Sequence, residues 1–83
     1  MQTLGFTVSL TPKACKQLQQ RPESVQRQYR KAFGLLQRYG WRYRSLRTHR
    51  YGTTWGSSAS MALRFYWRYA GGRVIEVTGL DSH

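Results

Sequence analysis

Leu4, Phe6, Val8 and Leu10 alternate with Gly5, Thr7 and Ser9, a period of two that predicts a strand with one buried face. Thr11-Pro12 then opens a helix: the hydroxyl caps free amides and proline suits the first helical position. That helix is expected to run to about Gln20 and to bury Ala14 and Leu18. After the break at Arg21-Pro22-Glu23, Val25, Tyr29, Ala32, Phe33, Leu36 and Tyr39 fall within about 120° of arc at helical spacing. Arg27, Arg30, Lys31 and Arg38 take the opposite side, and Gly40 is the stop. From Trp41 the pattern turns to β. Ser45 to Tyr51 reads as a strand anchored by Leu46, while Gly52-Thr53-Thr54 and Gly56-Ser57-Ser58 read as turns. From Met61 to Tyr69, apolar odd positions alternate with Arg64, Tyr66 and Arg68. Ala70-Gly71-Gly72 makes a hairpin turn, Arg73 to Thr78 returns as the last strand, and Gly79 to His83 is a tail.

The order β-α-α-β-β-β, with helices early and a meander late, predicts an α+β domain covering 1–83. A helical hairpin packs on one face of a mainly antiparallel twisted sheet. The other face is left open, displaying Arg64, Tyr66 and Arg68.

Charge changes what that open face means. Fourteen Lys and Arg oppose three acids, Glu23, Glu76 and Asp81, for a net charge of +11 on 83 residues. Folding does not require this excess, which repels itself in a compact chain; a polyanion is its natural counterpart. Cations interleave with rings in Trp41-Arg42-Tyr43-Arg44 and in Arg64-Phe65-Tyr66-Trp67-Arg68-Tyr69. Cations neutralise phosphates and rings stack on unpaired bases, so the pattern points to nucleic acid, and to RNA first.

Other chemistry is excluded by what the chain lacks. A two-metal nuclease needs clustered carboxylates, and the three acids are scattered. Cys15 is the one cysteine, so there is neither a disulfide within the chain nor a Cys-rich zinc site; a small buried residue is the expectation for it. No metal or other cofactor is expected. The alternating start is unlike a secretory signal, and no apolar run approaches the ~20 residues that span a bilayer. A cytoplasmic protein without a membrane partner is expected.

The chain resembles the RelE/ParE superfamily of small bacterial toxins from toxin–antitoxin pairs. Phe6-Thr7-Val8-Ser9-Leu10-Thr11-Pro12-Lys13-Ala14 is similar to the family's opening strand and its first helix. Leu46-Arg47-Thr48-His49 is similar to the strand after the helical hairpin. Met61-Ala62-Leu63-Arg64-Phe65-Tyr66-Trp67 resembles the strand in which an arginine precedes apolar and aromatic residues, and Arg73-Val74-Ile75-Glu76-Val77-Thr78-Gly79 resembles the closing strand. Beyond Gly79 the chain departs from the family's C-terminal pattern, which carries an aromatic in some of its nucleases.

The resemblance implies a toxin neutralised by a cognate antitoxin protein. RelE-type members cut messenger RNA at the ribosome, which with no metal site expected here would be metal-independent cleavage; ParE-type members inhibit DNA gyrase. Both activities stand as readings, the nuclease first, with an inactive relative that binds RNA or antitoxin as a further alternative. For a nuclease, Arg64 is the candidate for stabilising charge on the phosphorus, opposite the core. His83 and His49 are candidates for the acid or base, His49 also for binding RNA, and His83 lies close to where the family often places a His or Arg. Tyr66 can stack on a base or donate a proton. Arg68 and Arg47 are candidates for flanking phosphates, and Glu76 for pairing with a nearby arginine. Arg27, Arg30, Lys31 and Arg38 would hold ribosomal RNA.

Overall fold

A computed structural model describes residues 5–82. Its elements are β1 (Thr7–Leu10), α1 (Pro12–Gln19), α2 (Glu23–Tyr39), 3-10 turns at Gly40–Arg42 and Arg44–Leu46, β2 (His49–Tyr51), β3 (Thr54–Ser58), β4 (Leu63–Tyr69) and β5 (Val74–Ser82). The strands form one mixed sheet in the order β1-β5-β4-β3-β2. Only β1 runs parallel to its neighbour, β5; the other three pairings are antiparallel. The expected α+β architecture holds, with the helical pair on one sheet face.

Local chemistry sets the helices as the sequence implies. The Thr11 hydroxyl accepts from the Ala14 amide at 3.1 Å, and Pro12 is the first helical residue. Gly40 ends α2 at φ 71°, and a Cβ there would meet the Phe6 ring at 2.9 Å. Ala14, Leu18, Tyr29, Ala32, Phe33 and Leu36 are buried against Phe65, Trp67, Ile75, Val77 and Leu80 of the sheet. The Tyr29 hydroxyl pins α2 to the sheet from above, 3.1 Å from the carbonyls of both Arg64 and Asp81. From α1, Gln17 Oε1 accepts the Leu80 amide at 2.8 Å.

Four local expectations are corrected. The segment from Ser45 is not a continuous strand: Leu46 and Arg47 donate to the carbonyls of Tyr43 and Arg44, closing a 3-10 turn, and β2 starts at His49. Leu46 is still the buried anchor, but it is supplied by that turn. Thr54–Ser58 is a strand between β2 and β4, and only Gly52-Thr53 turns. Pairing with β4 outweighs the low strand propensity of Gly and Ser, as tertiary context often does. The supposed tail from Gly79 continues β5 through Ser82 and contributes buried Leu80. A bulge between Tyr66 and Trp67 skips Thr78, whose hydroxyl donates to the Tyr66 carbonyl at 3.3 Å. Finally, Cys15 faces solvent, as do Tyr39 and Met61 from the expected apolar faces.

The aromatic residues form a second organising feature. Trp55 lies on Trp67 with centroids 5.3 Å apart and planes 9° from parallel, and Trp41 lies on Trp55 at 6.0 Å. Trp67 is fully buried and donates Nε1–H to Ser57 Oγ at 2.9 Å; Thr48 Oγ1 lies 2.7 Å from the same oxygen.

Candidate functional site

The open face is built by strand alternation. His49, Gly56, Tyr66 and Gly79 are successive cross-strand neighbours, and Ser58, Arg64 and Asp81 form the next row. Arg47 caps the second 3-10 turn in the left-handed region, φ 47°, the one such non-glycine among the described residues. That conformation is costly for a branched or long side chain and often accompanies function. Here it leaves Leu46 in the core, exposes Arg47, and aims the chain into β2.

These elements enclose a hollow of about 340 Å³ lined by Ser45, Arg47, His49, Ser58, Ser60, Met61 and Arg64. Its volume sits at the low end of ligand sites, about 300–1,000 Å³. Arg64 is half-buried, and its backbone is fixed by Tyr29. Its Nη2 lies 3.5 Å from the Tyr51 hydroxyl, a loose contact. The Tyr51 and Tyr66 rings close over Gly56, where a Cβ would meet them at 2.9 and 3.3 Å, and the Arg64 guanidinium at 3.4 Å. An adjoining hollow, which shares Ser45 and Ser58, is lined in part by Lys31 of α2.

The structure therefore brings Arg47, His49 and Arg64 together, with Tyr66 beside them and Lys31 at the margin. Arg68 sits toward the far end of β4 and is held by Glu76, Nη2 to Oε1 2.8 Å and Nε to Oε1 2.9 Å, the pairing expected for Glu76. Arg27, Arg30 and Arg38 lie on the exposed side of α2, with Arg30 donating to Gln26 Oε1 at 2.7 Å. His83 lies outside the described residues. Among the described residues, no three His, Cys, Asp or Glu side chains cluster.

Two residues of the site were not recognised in the sequence. Tyr51 was one residue in an expected strand; the two-residue turn at Gly52-Thr53 was the signal that it ends β2 above Gly56. Asp81, in the expected tail, is the cross-strand neighbour of Arg64. The alternation of Leu80 with Gly79 and Asp81 was the available sign. Two guanidinium groups, an imidazole and serine hydroxyls around one hollow suit a phosphate ester, with an ionisable ring in reach for proton transfer.

No protein-family model matches the chain, and no curated protein matches it in sequence. Solved structures do match in shape. A YoeB/ParE toxin from Agrobacterium tumefaciens superposes with a TM-score of 0.77 at 14% identity, covering 94% of this chain and 99% of that one. The archaeal RelE–RelB complex from Pyrococcus horikoshii gives a TM-score of 0.76 at 14% identity, over 95% and 96% of the two chains. The toxin–antitoxin complex RelBE2 from Mycobacterium tuberculosis gives 0.77 at 20% identity, over 96% and 100%. The chain has the RelE/ParE toxin fold. The likeness spans both helices and the sheet, so the strand carrying Arg64 is part of the shared RelE-like framework. No helix among the described residues is long and apolar enough to cross a membrane.

Proposed function

We propose that this chain is the toxin of a toxin–antitoxin pair and a metal-independent endoribonuclease that cuts messenger RNA at the ribosome. One observation carries the chemistry: Arg47, His49 and Arg64, drawn from a turn and two strands, line a single hollow on the open sheet face. The toxin fold, seen in complexes with antitoxins, supports the biological setting and an antitoxin partner.

In this reading the scissile phosphate sits between Arg47 and Arg64. The 2′-oxygen attacks phosphorus, and its proton passes to a base. The bond from phosphorus to the 5′-oxygen breaks as an acid protonates that oxygen, leaving a 2′,3′-cyclic phosphate and a 5′-hydroxyl. His49 is the proton carrier within the hollow, and His83 is proposed as the second. The two guanidinium groups stabilise the added negative charge at pentacoordinate phosphorus, an effect that removal of a single donor shows to be worth about 10²–10³ in rate. Tyr66 stacks on a base beside the cut. Lys31, with Arg27, Arg30 and Arg38, continues the cationic surface along α2 toward ribosomal RNA, and Arg68 extends it along β4.

The test adds purified protein to translating ribosomes and maps messenger RNA ends. Cleavage is expected, with Arg64→Ala slower by about 10²–10³. Arg64→Lys recovers little, because an ammonium cannot grip two phosphate oxygens as a planar fork does. Translation arrest over intact messenger RNA would defeat the nuclease reading. Inhibited supercoiling without RNA cleavage would select gyrase as the target instead.

A further inference from the structure

The Trp41-Arg42-Tyr43-Arg44 segment takes no part in the Arg64 hollow. It borders a second one, also of about 340 Å³, lined by Phe6, Tyr39, Gly40, Trp41, Arg42 and Arg73. Phe6 packs on Tyr69, the last residue of β4, at 5.9 Å, so this hollow lies toward the opposite end of that strand from Arg64. Five strand residues at about 3.3 Å each put about 17 Å between the two ends.

We propose that this second hollow binds an unpaired nucleotide of single-stranded RNA, with the base against Trp41 and Tyr39 and the phosphate between Arg42 and Arg73. The inference rests on the reading that the protein handles RNA, but not on cleavage at Arg64. Tyr39 and Trp41 leave 48% and 46% of their surface exposed, although the core lies close by. Neither ring is loose. Trp41 is the outer member of the three-indole pile through Trp55 to buried Trp67, and Tyr39 stacks on Tyr43 at 4.8 Å. A ring already held in place adds a stacking partner without further ordering of the protein.

The cations are placed for the other half of a nucleotide. The Arg42 guanidinium lies 5.4 Å from the Trp41 centroid, a loose contact that a base can replace. Arg73 lies 4.5 Å from the Phe6 centroid and donates Nε–H to the Gly5 carbonyl at 2.8 Å, which sets the direction of its guanidinium. None of the residues lining the hollow is acidic. An acidic peptide would satisfy the two cations and leave the flat ring faces unused; a nucleotide engages both, and the net charge of +11 favours a polyanion.

The experiment titrates a short oligouridylate into the Arg64→Ala protein, in which any cutting should be about 10²–10³ slower, and follows tryptophan emission. Binding is expected to quench that emission. Trp41→Ala should weaken affinity roughly 5- to 150-fold, the equivalent of about 1–3 kcal/mol for one stacked base at 1.4 kcal/mol per tenfold. Trp41→Phe keeps a ring and should recover most of the affinity. Arg42→Ala should lower the slope of log affinity against log salt by about 0.7, one phosphate contact to a single strand. Circular dichroism checks that each variant is folded; should Trp41→Ala unfold, Trp41→Phe and Arg42→Ala carry the test. Unchanged affinity in folded Trp41→Ala, or an unchanged salt slope in Arg42→Ala, overturns the proposal. It is also overturned if a polyglutamate peptide, and not RNA, loses affinity in these variants. Intact messenger RNA with the wild-type protein while Trp41→Ala weakens RNA binding removes the nuclease assignment and leaves this hollow standing; cleavage by wild type with unchanged RNA affinity in folded Trp41→Ala removes the hollow alone.

Discussion

Gly56→Ala is a steric probe of the candidate site with little reason to unfold the protein. The added Cβ would stand 2.9 Å from Tyr51 Cε2, 3.3 Å from Tyr66 Cε1 and 3.4 Å from Arg64 Nη2. Restoring a carbon–carbon contact of about 3.5 Å requires the Tyr51 ring to retreat by about 0.6 Å and Tyr66 by about 0.2 Å. Tyr51 is 54% exposed, so its ring can swing outward without displacing the core. Glycine in a strand is itself unfavourable by about 0.5–1 kcal/mol relative to alanine, which offsets the crowding. Stability in urea should therefore stay within about 1 kcal/mol of wild type. Activity should respond more. A misplacement of about 1 Å can slow a reaction 10²-fold, so a shift near half that size should slow ribosomal cleavage by about tenfold. Tyr51→Ala supplies the control, because it removes the ring that the new methyl strikes. In that background Gly56→Ala should slow cleavage by less than about threefold. Equal losses with and without the Tyr51 ring would show that the methyl acts through the backbone and would refute the reasoning.

Two further outcomes test the framework around the site. Trp67→Phe removes the Nε1–H bond to Ser57 and the middle of the aromatic packing, and should lower unfolding free energy in urea by about 2 kcal/mol; a loss under about 0.5 kcal/mol would contradict it. Burial raises the Tyr69 phenol above its ordinary 10.0, with Arg42 pulling it partly back. The folded chain then holds that proton to higher pH than the unfolded chain. Its contribution is complete below pH 10 and is lost as pH rises through the folded value. Alkaline unfolding of Tyr69→Phe should be correspondingly flatter above that pH, and parallel curves would remove Tyr69 as the cause.

Legibility varied with the range of the interactions. The Thr11 cap, the Gly40 stop and the apolar stripe of α2 act within one or two helical turns, and all could be read directly. The alternation of Leu63, Phe65 and Trp67 with Arg64 and Tyr66 is enough by itself to put Arg64 on the open face. β3 could not be read. Thr54-Trp55-Gly56-Ser57-Ser58 carries turn-favouring residues, and its strand character comes from neighbours on both sides. Gly56 admits the Tyr51 and Tyr66 rings, while Ser57 meets Trp67 and Thr48. The continuation of β5 was hidden for the same reason: Gly79 suggests an end until Tyr66 is seen opposite it.

From the amino-acid order alone, then, came the helical pair, the strand that carries Arg64, the excess of positive charge and the resemblance to a toxin family. Periodicity and capping are local, and charge is a sum over residues, so neither needs a partner distant in sequence. Tertiary structure alone decided that Arg47, His49 and Arg64 share a hollow, that Arg68 is taken up by Glu76, and that Tyr51 and Asp81 stand beside Arg64. Those relations depend on which strands pair and in what register. Slipping a strand by one residue would turn every side chain to the other face.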